Sequence, residues 1–245
     1  MKKQLPYTTV LFDLDGTLLN VDMHRFVPLY LNCLAQSIAI DVDSEQFVRV
    51  MIERTMERLR SDDGSQTNEE FFLAVAHSDL NINAEQFLQG LQIFYREHME
   101  KLQPLITSLP MARQLICMCK KLGLEVVIAT NPVFPRPLVD ARLKWGGIGD
   151  CDYLLVTSSE NSCYCKPNPN YFSAILSEIG REPETCLMVG NDTEQDLSAA
   201  VLGITTYLLD TWMIDRGSDF VPDYRGSHLD LYNFIGHLAQ DAALM

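Results

Sequence analysis

The chain has 245 residues, long enough for one large α/β domain carrying a smaller insertion. Hydrophobic residues make up 47% and charged residues 21%, which excludes a disordered chain and implies a buried core. A formal net charge of −14 works against nucleic acid and anionic membrane surfaces as partners, so an anionic ligand needs positive charge supplied locally.

Met1 to Tyr7 lead straight into the first strand with no apolar signal segment, and no apolar run reaches membrane-spanning length. Seven scattered cysteines fit reduced thiols in a cytoplasmic protein better than zinc ligation by Cys117, Cys119, Cys163 and Cys165, whose spacing is poor for one site. The run Thr9-Val10-Leu11-Phe12 is short, apolar and β-rich, and reads as a buried strand. It ends in Asp13 and Asp15, which alternation along a strand sends to the same side. Gly16 permits a sharp turn, within which Thr17 can hydrogen-bond. Two carboxylates converging at a strand end repel each other, and a cation or a reaction explains that cost better than a plain acidic turn does. A calcium loop is a poorer fit, because it needs glycine at its sixth position and Gly16 stands fourth.

From Asp22 to about Pro104 the pattern is helical. Phe26, Leu29, Tyr30, Cys33 and Leu34 form one apolar face of a helix over Arg25 to Ala39. Ser44 is the expected N-cap of a second helix, with Phe47, Val48, Met51 and Ile52 behind it. Thr67 and Glu70 have capping-box spacing for a third, and Asn83 caps a fourth through Phe87, Leu91, Phe94 and Tyr95. After Pro104 strands and helices alternate. A helix over Ser108 to Lys121 precedes a strand at Leu124 to Ala129, and a helix over Pro137 to Trp145 precedes a strand at Tyr153 to Val156. Asn168-Pro169 opens another helix, followed by a strand at Cys186 to Val189, a helix through Ala200 and a fifth strand at Thr205 to Leu209. The tail from Asp219 to Met245, with Tyr224, Leu229, Leu231, Phe234 and Leu238, is expected to pack a final helix on the sheet. Such alternation predicts a Rossmann-like parallel sheet over residues 1–20 and 105–245, with a helical bundle over 21–104 inserted after the first strand.

In an open parallel sheet, ligands bind beyond the strand ends. Asp13 and Asp15 follow the first strand, and Thr130 and Asn131 the second. Lys166 lies in the loop after the third; Gly190, Asn191, Asp192 and, a turn later, Asp196 follow the fourth. Seen singly, each has a plainer role: Thr130-Asn131 a strand ending, Lys166 a solvated loop residue, Asp192 and Asp196 partners of a helix N-terminus. Together and in this order they resemble the four motifs of the haloacid dehalogenase superfamily, and the helical insertion resembles its type 1 cap. Many members carry Gly-Asp in the fourth motif, whereas here Asn191 stands between Gly190 and Asp192.

The resemblance implies a Mg²⁺-dependent phosphatase acting on a small phosphorylated metabolite. Asp13 is then the nucleophile that forms an aspartyl phosphate, and Asp15 the acid and base. Thr130, Asn131, Gly16 and Lys166 would bind the phosphoryl group. Asp13, Asp192 and the Asp15 carbonyl would hold Mg²⁺, with Asn191 and Asp196 supporting them. Dehalogenases of the family usually lack an acid at the position of Asp15, which favours phosphoryl transfer. Phosphonatase chemistry would want a cap lysine, and residues 21–100 contain none. A sugar-phosphate mutase is the alternative, weakly disfavoured by Asn191; a catalytically silent binding module would be expected to have lost Asp13 or Lys166. His24, Arg25, Arg49, Arg54 and Arg58 are candidates for a second anionic group, although cap arginines are mostly solvated.

Overall fold

The structure, a computed structural model, describes residues 5–38 and 43–244. Met1 to Gln4, the expected helix end at Ala39 and the last tail residue Met245 lie outside them. Strand β1 (Thr9–Phe12) stands near the middle of a six-stranded sheet with β4 (Glu125–Ile128), β5 (Leu155–Val156), β6 (Cys186–Gly190), β7 (Thr205–Leu209) and β8 (Tyr224–Gly226). The order is β5-β4-β1-β6-β7-β8, and each neighbouring pair is parallel. The doubly wound α/β class expected from the strand–helix alternation is the one observed.

Burial on both faces explains the uninterrupted apolar strands. Val10 and Phe12 pack to one side with Leu115, Ile116 and Leu231, whereas Leu11 packs to the other with Met188, Phe172 and Ile175. The first layer contains α5 (Pro110–Lys121), α6 (Arg136–Trp145) and α8 (His228–Leu244); the second contains α7 (Pro169–Ile179). The chain leaves β1 toward β4 on one side and β6 on the other, so the strand order reverses at β1. That reversal opens a crevice at the carboxyl end of β1, where Asp13 follows.

Between β1 and β4 lie α1 (Met23–Ser37), α2 (Ser44–Leu59), α3 (Asn68–Leu80) and α4 (Ala84–Glu97). α1 packs on α2 and α4, and α3 joins α2 to α4. Thr67 with Glu70, and Asn83 with Gln86, both form capping boxes. The cap of α2 is Asp43, not Ser44: the Asp43 carboxylate accepts from the N–H groups of Glu45 and Gln46. The segments entering and leaving the insertion pair with each other, β2 (Leu19–Val21) antiparallel to β3 (Ile106–Ser108). Ser108 is therefore in a strand, and α5 begins at Pro110 because a residue before proline favours extended backbone and proline suits the first helical position.

Three further expectations are corrected. The strand expected from Tyr153 is only Leu155–Val156. The segment through Ala200 is a 3-10 helix, Leu197–Leu202, ended at Gly203. Tyr224 belongs to the edge strand β8, not to the final helix. Asp223 holds that edge by accepting from the backbone N–H and the hydroxyl of Thr206. No described helix is long and apolar enough to cross a membrane.

Candidate active site

The register delivers the site. Phe12 pairs with Ile128 on one side and Val189 on the other, so Asp13, Thr130 and Asn191 leave neighbouring strand ends together. The Asp13 N–H still donates to Val189 O at 2.9 Å, tying the acid to the last turn of sheet. Lys166 reaches back from beyond β5: its Nζ donates to Asp13 Oδ1 at 2.8 Å and to Asp196 Oδ1 at 2.6 Å. Lys166 is 1% exposed, Asp13 8% and Asp196 1%. Burial alone would lower the lysine's pKa, but the two facing carboxylates outweigh it and hold the ammonium above the ordinary lysine range. Burial pushes Asp196 up, against the pull of Lys166, and the charge of Asp13 adds to the rise.

Asp196 organises the loop after β6. Its Oδ2 accepts from the N–H groups of Asn191 and Asp192, both at 2.9 Å. Gly190 makes this approach possible, because a Cβ there would lie 2.1 Å from that oxygen. Gly190→Ala is expected to cost about 1–3 kcal/mol or more, by overpacking and by loss of these bonds. Urea unfolding measures it; an unchanged midpoint would mean that the loop yields freely. On the facing loop, Gly16 has φ +85° and a Cβ there would meet the Asn191 amide at 2.2 Å, so glycine is required twice over.

Thr17 donates to Asp13 Oδ2 at 3.1 Å and lies 3.3 Å from Asn191 Oδ1, so its single proton is shared. The Thr17 carbonyl accepts from His228 Nε2 at 2.8 Å, and burial lowers the pKa of that histidine. Asn191 Nδ2 donates to Trp212 O at 2.6 Å. The asparagine is thus engaged with Thr17 and Trp212, while the Asp192 carboxylate points elsewhere: Oδ1 accepts from Glu194 and Gln195 N–H groups, and Oδ2 from Arg216 Nε at 2.6 Å. Thr130 is pinned through its carbonyl by Thr157 at 2.7 Å and by the Tyr171 hydroxyl at 2.8 Å. Asn131 Nδ2 donates to Lys166 O and to Gln195 Oε1, both at 3.3 Å. Every residue of the expected phosphoryl-binding group therefore sits at one rim of one sheet.

Asp15 lies at the same rim but takes no part in the Lys166 pairing. Its carboxylate is ion-paired with Arg142 of α6. Burial pushes its pKa up, and the guanidinium opposes the rise. Among the candidate cap cations, His24, Arg25 and Arg49 are exposed, and Arg54 pairs with Glu57 and Asp79. Arg58 is buried and donates to Asn68 Oδ1 at 2.6 Å and to the carbonyls of Asp63, Gln66 and Cys163. Through Cys163 it stitches the insertion to the loop that carries Lys166, and Asn68 in turn donates to Pro132 O in the loop after β4. Arg142 and Arg216 were missed from sequence. Arg142 had a signal: helical spacing places it on the same face as Leu138, Val139 and Leu143. Arg216 had none, lying in irregular chain between β7 and β8.

Comparison with known proteins places this arrangement. The family pattern described as haloacid dehalogenase-like hydrolase matches residues 7–202. The pyrophosphatase PpaX of Bacillus velezensis is 26% identical over 220 residues, which cover 89% of this chain and 90% of that protein. The protein SUPPRESSOR OF QUENCHING 1, chloroplastic, of Arabidopsis thaliana is 24% identical over 227 residues, and the match covers 90% of this chain but only 20% of the plant protein. Among solved structures, a HAD phosphatase from Thermococcus onnurineus superposes with a TM-score of 0.58 at 22% identity, covering 94% of this chain and 98% of that one. CbbY from Rhodobacter sphaeroides, in complex with phosphate, gives 0.58 at 20% identity, covering 92% and 96%. At such identities the structural likeness carries the fold, whereas the family pattern spans most of the sequence: the chain belongs to the haloacid dehalogenase-like hydrolases.

Proposed function

We propose that the protein is a Mg²⁺-dependent phosphatase that hydrolyses a small phosphorylated metabolite through an aspartyl phosphate on Asp13, with the helices of residues 21–104 acting as its cap. The observation that carries this reading is the buried triad of Asp13, Lys166 and Asp196, with Lys166 Nζ 2.8 Å from the proposed nucleophilic carboxylate. An ammonium held in its charged form beside a carboxylate suits a phosphoryl group, whose oxygens share that charge.

An Asp13 carboxylate oxygen attacks phosphorus as the bond from phosphorus to the ester oxygen breaks. Asp15 gives the leaving alkoxide its proton and afterwards takes one from the water that attacks the acyl phosphate, which releases inorganic phosphate and restores Asp13. Thr130 and the Asn131 N–H orient the phosphoryl oxygens. The residue types suit a hard divalent cation: Asp13 and Asp192 follow neighbouring strand ends, and Asp192 would serve it once the partly exposed Arg216 releases its carboxylate. Asp13, Asp192 and the Asp15 carbonyl would hold Mg²⁺, which when bound neutralises charge on the phosphoryl oxygens.

The test is inorganic phosphate release from para-nitrophenyl phosphate and a metabolite panel, with Mg²⁺ and with chelator. Turnover is expected only with the metal. Acid-quenched enzyme should carry a hydroxylamine-labile phosphate on the peptide containing Asp13. Turnover unaffected by chelator, or label on another residue, would refute the assignment.

A further inference from the structure

Arg142 is 0% exposed, although it carries a full charge. Its Nη2 is ion-paired with Asp15 Oδ1, but Nε and Nη1 have no hydrogen-bond partner among the described residues. Phe26 of α1 and Phe134, in the loop after β4, cover the group, their ring centroids 5.5 and 5.0 Å from the guanidinium carbon. Cation–π contact offsets part of the cost of burying the charge. It does not satisfy the donors, and a buried charged donor without an acceptor is among the more costly features a fold can hold. A methionine or leucine would fill the same space without that cost, so packing alone does not account for the arginine. Neutralising Asp15 accounts for one contact and leaves most of the five-donor fork unused.

We propose that Arg142 is a specificity residue, the receptor for a second acidic group on the alcohol part of the substrate. The inference rests on the reading of Asp15 as the residue that serves the leaving oxygen. A cation in contact with Asp15 then stands beside the alcohol, while Lys166 serves the phosphoryl group. The planar fork takes a carboxylate or phosphate through two parallel hydrogen bonds, and the two phenyl faces exclude the water that would weaken them. The substrate class is a phosphate monoester whose alcohol bears a carboxylate or a second phosphate a few bonds from the ester oxygen. In a chain of net charge −14, with Asp13, Asp15 and Asp192 at the same rim, such a group would be repelled without a dedicated cation. Phe26 comes from the inserted helices and Phe134 from the sheet side, so the receptor is complete only when α1 is seated.

The test compares kcat/KM within matched pairs: 2-phosphoglycolate against 2-hydroxyethyl phosphate for a carboxylate, and fructose 1,6-bisphosphate against fructose 6-phosphate for a phosphate. Wild type is expected to favour the acidic member of one pair at least about tenfold, the pair identifying which acid is selected. Arg142→Met should bring that ratio close to one, and Arg142→Lys should restore part of it. Ratios near one in wild type, or a preference unchanged in Arg142→Met, would overturn the assignment. If Arg142→Met lacks native near-ultraviolet dichroism, the wild-type ratios and Arg142→Lys decide. Phosphate release with no preference defeats only the role of Arg142; absence of release from every ester, para-nitrophenyl phosphate included, defeats the phosphatase reading and this inference with it.

Discussion

Asp13→Asn is expected to abolish phosphate release, lowering kcat by roughly 10⁴- to 10⁶-fold, as removal of a covalent nucleophile does elsewhere. The change is nearly isosteric and keeps the acceptor for Thr17, which donates to Oδ2 at 3.1 Å. It removes one of the two carboxylates held against Lys166, so the buried cluster loses mutual repulsion between Asp13 and Asp196. The variant should therefore remain folded, with an unfolding midpoint close to wild type or above it, as happens where a site is tuned for chemistry at the expense of stability. Steady-state kinetics and thermal unfolding, run on the same preparations, separate the two quantities. Residual activity within tenfold of wild type would mean that Asp13 is not the nucleophile, whatever its place at the end of β1.

Lys166→Met is expected to be the most damaging single change to stability in the site. Lys166 is the shared partner of Asp13 and Asp196, and all three are buried. Its removal leaves two facing carboxylates in a low-dielectric site without their cation, a loss of about 3–5 kcal/mol. For a chain of this size that corresponds to a fall in Tm of roughly 6–20 °C. The loss should be partly recovered in Lys166→Met/Asp196→Asn, because the amide withdraws the second negative charge; the coupling in that double-mutant cycle should be about 1–3 kcal/mol. Asp196 also accepts the N–H groups of Asn191 and Asp192, so Asp196→Asn alone should be destabilising. Urea denaturation of the four proteins measures the cycle. Additive effects would mean that the lysine and Asp196 act independently, against the 2.6 Å contact between them.

The order of strands and helices was legible because short-range rules govern it. Val10, Leu11 and Phe12 are apolar in succession because both faces of β1 are covered, and Thr67 with Glu70 announces a helix start through bonds that span one turn. Where two residues could satisfy the same rule, sequence chose wrongly: Asp43 and Ser44 can both cap α2, and only the backbone geometry selects Asp43. The edge strand β8 escaped notice because three residues, two of them exposed, carry no periodicity. The candidate site divides in the same way. Asp13, Thr130, Lys166 and Asp192 could be nominated because each follows a recognisable strand, and parallel pairing obliges strand ends to share a rim.

Local patterns along the chain set the alternation that builds the sheet, the insertion after β1 and the residues that emerge at the strand ends. What those residues touch depends on packing between distant segments. The pairing of Asp15 with Arg142, the hold of Arg216 on Asp192, and the stitch from Arg58 through Asn68 to the loop after β4 join segments far apart in the chain. No local periodicity encodes such contacts. They depend on how helices settle on the sheet, and a charged side chain on an apolar helix face finds its partner only when the layers close.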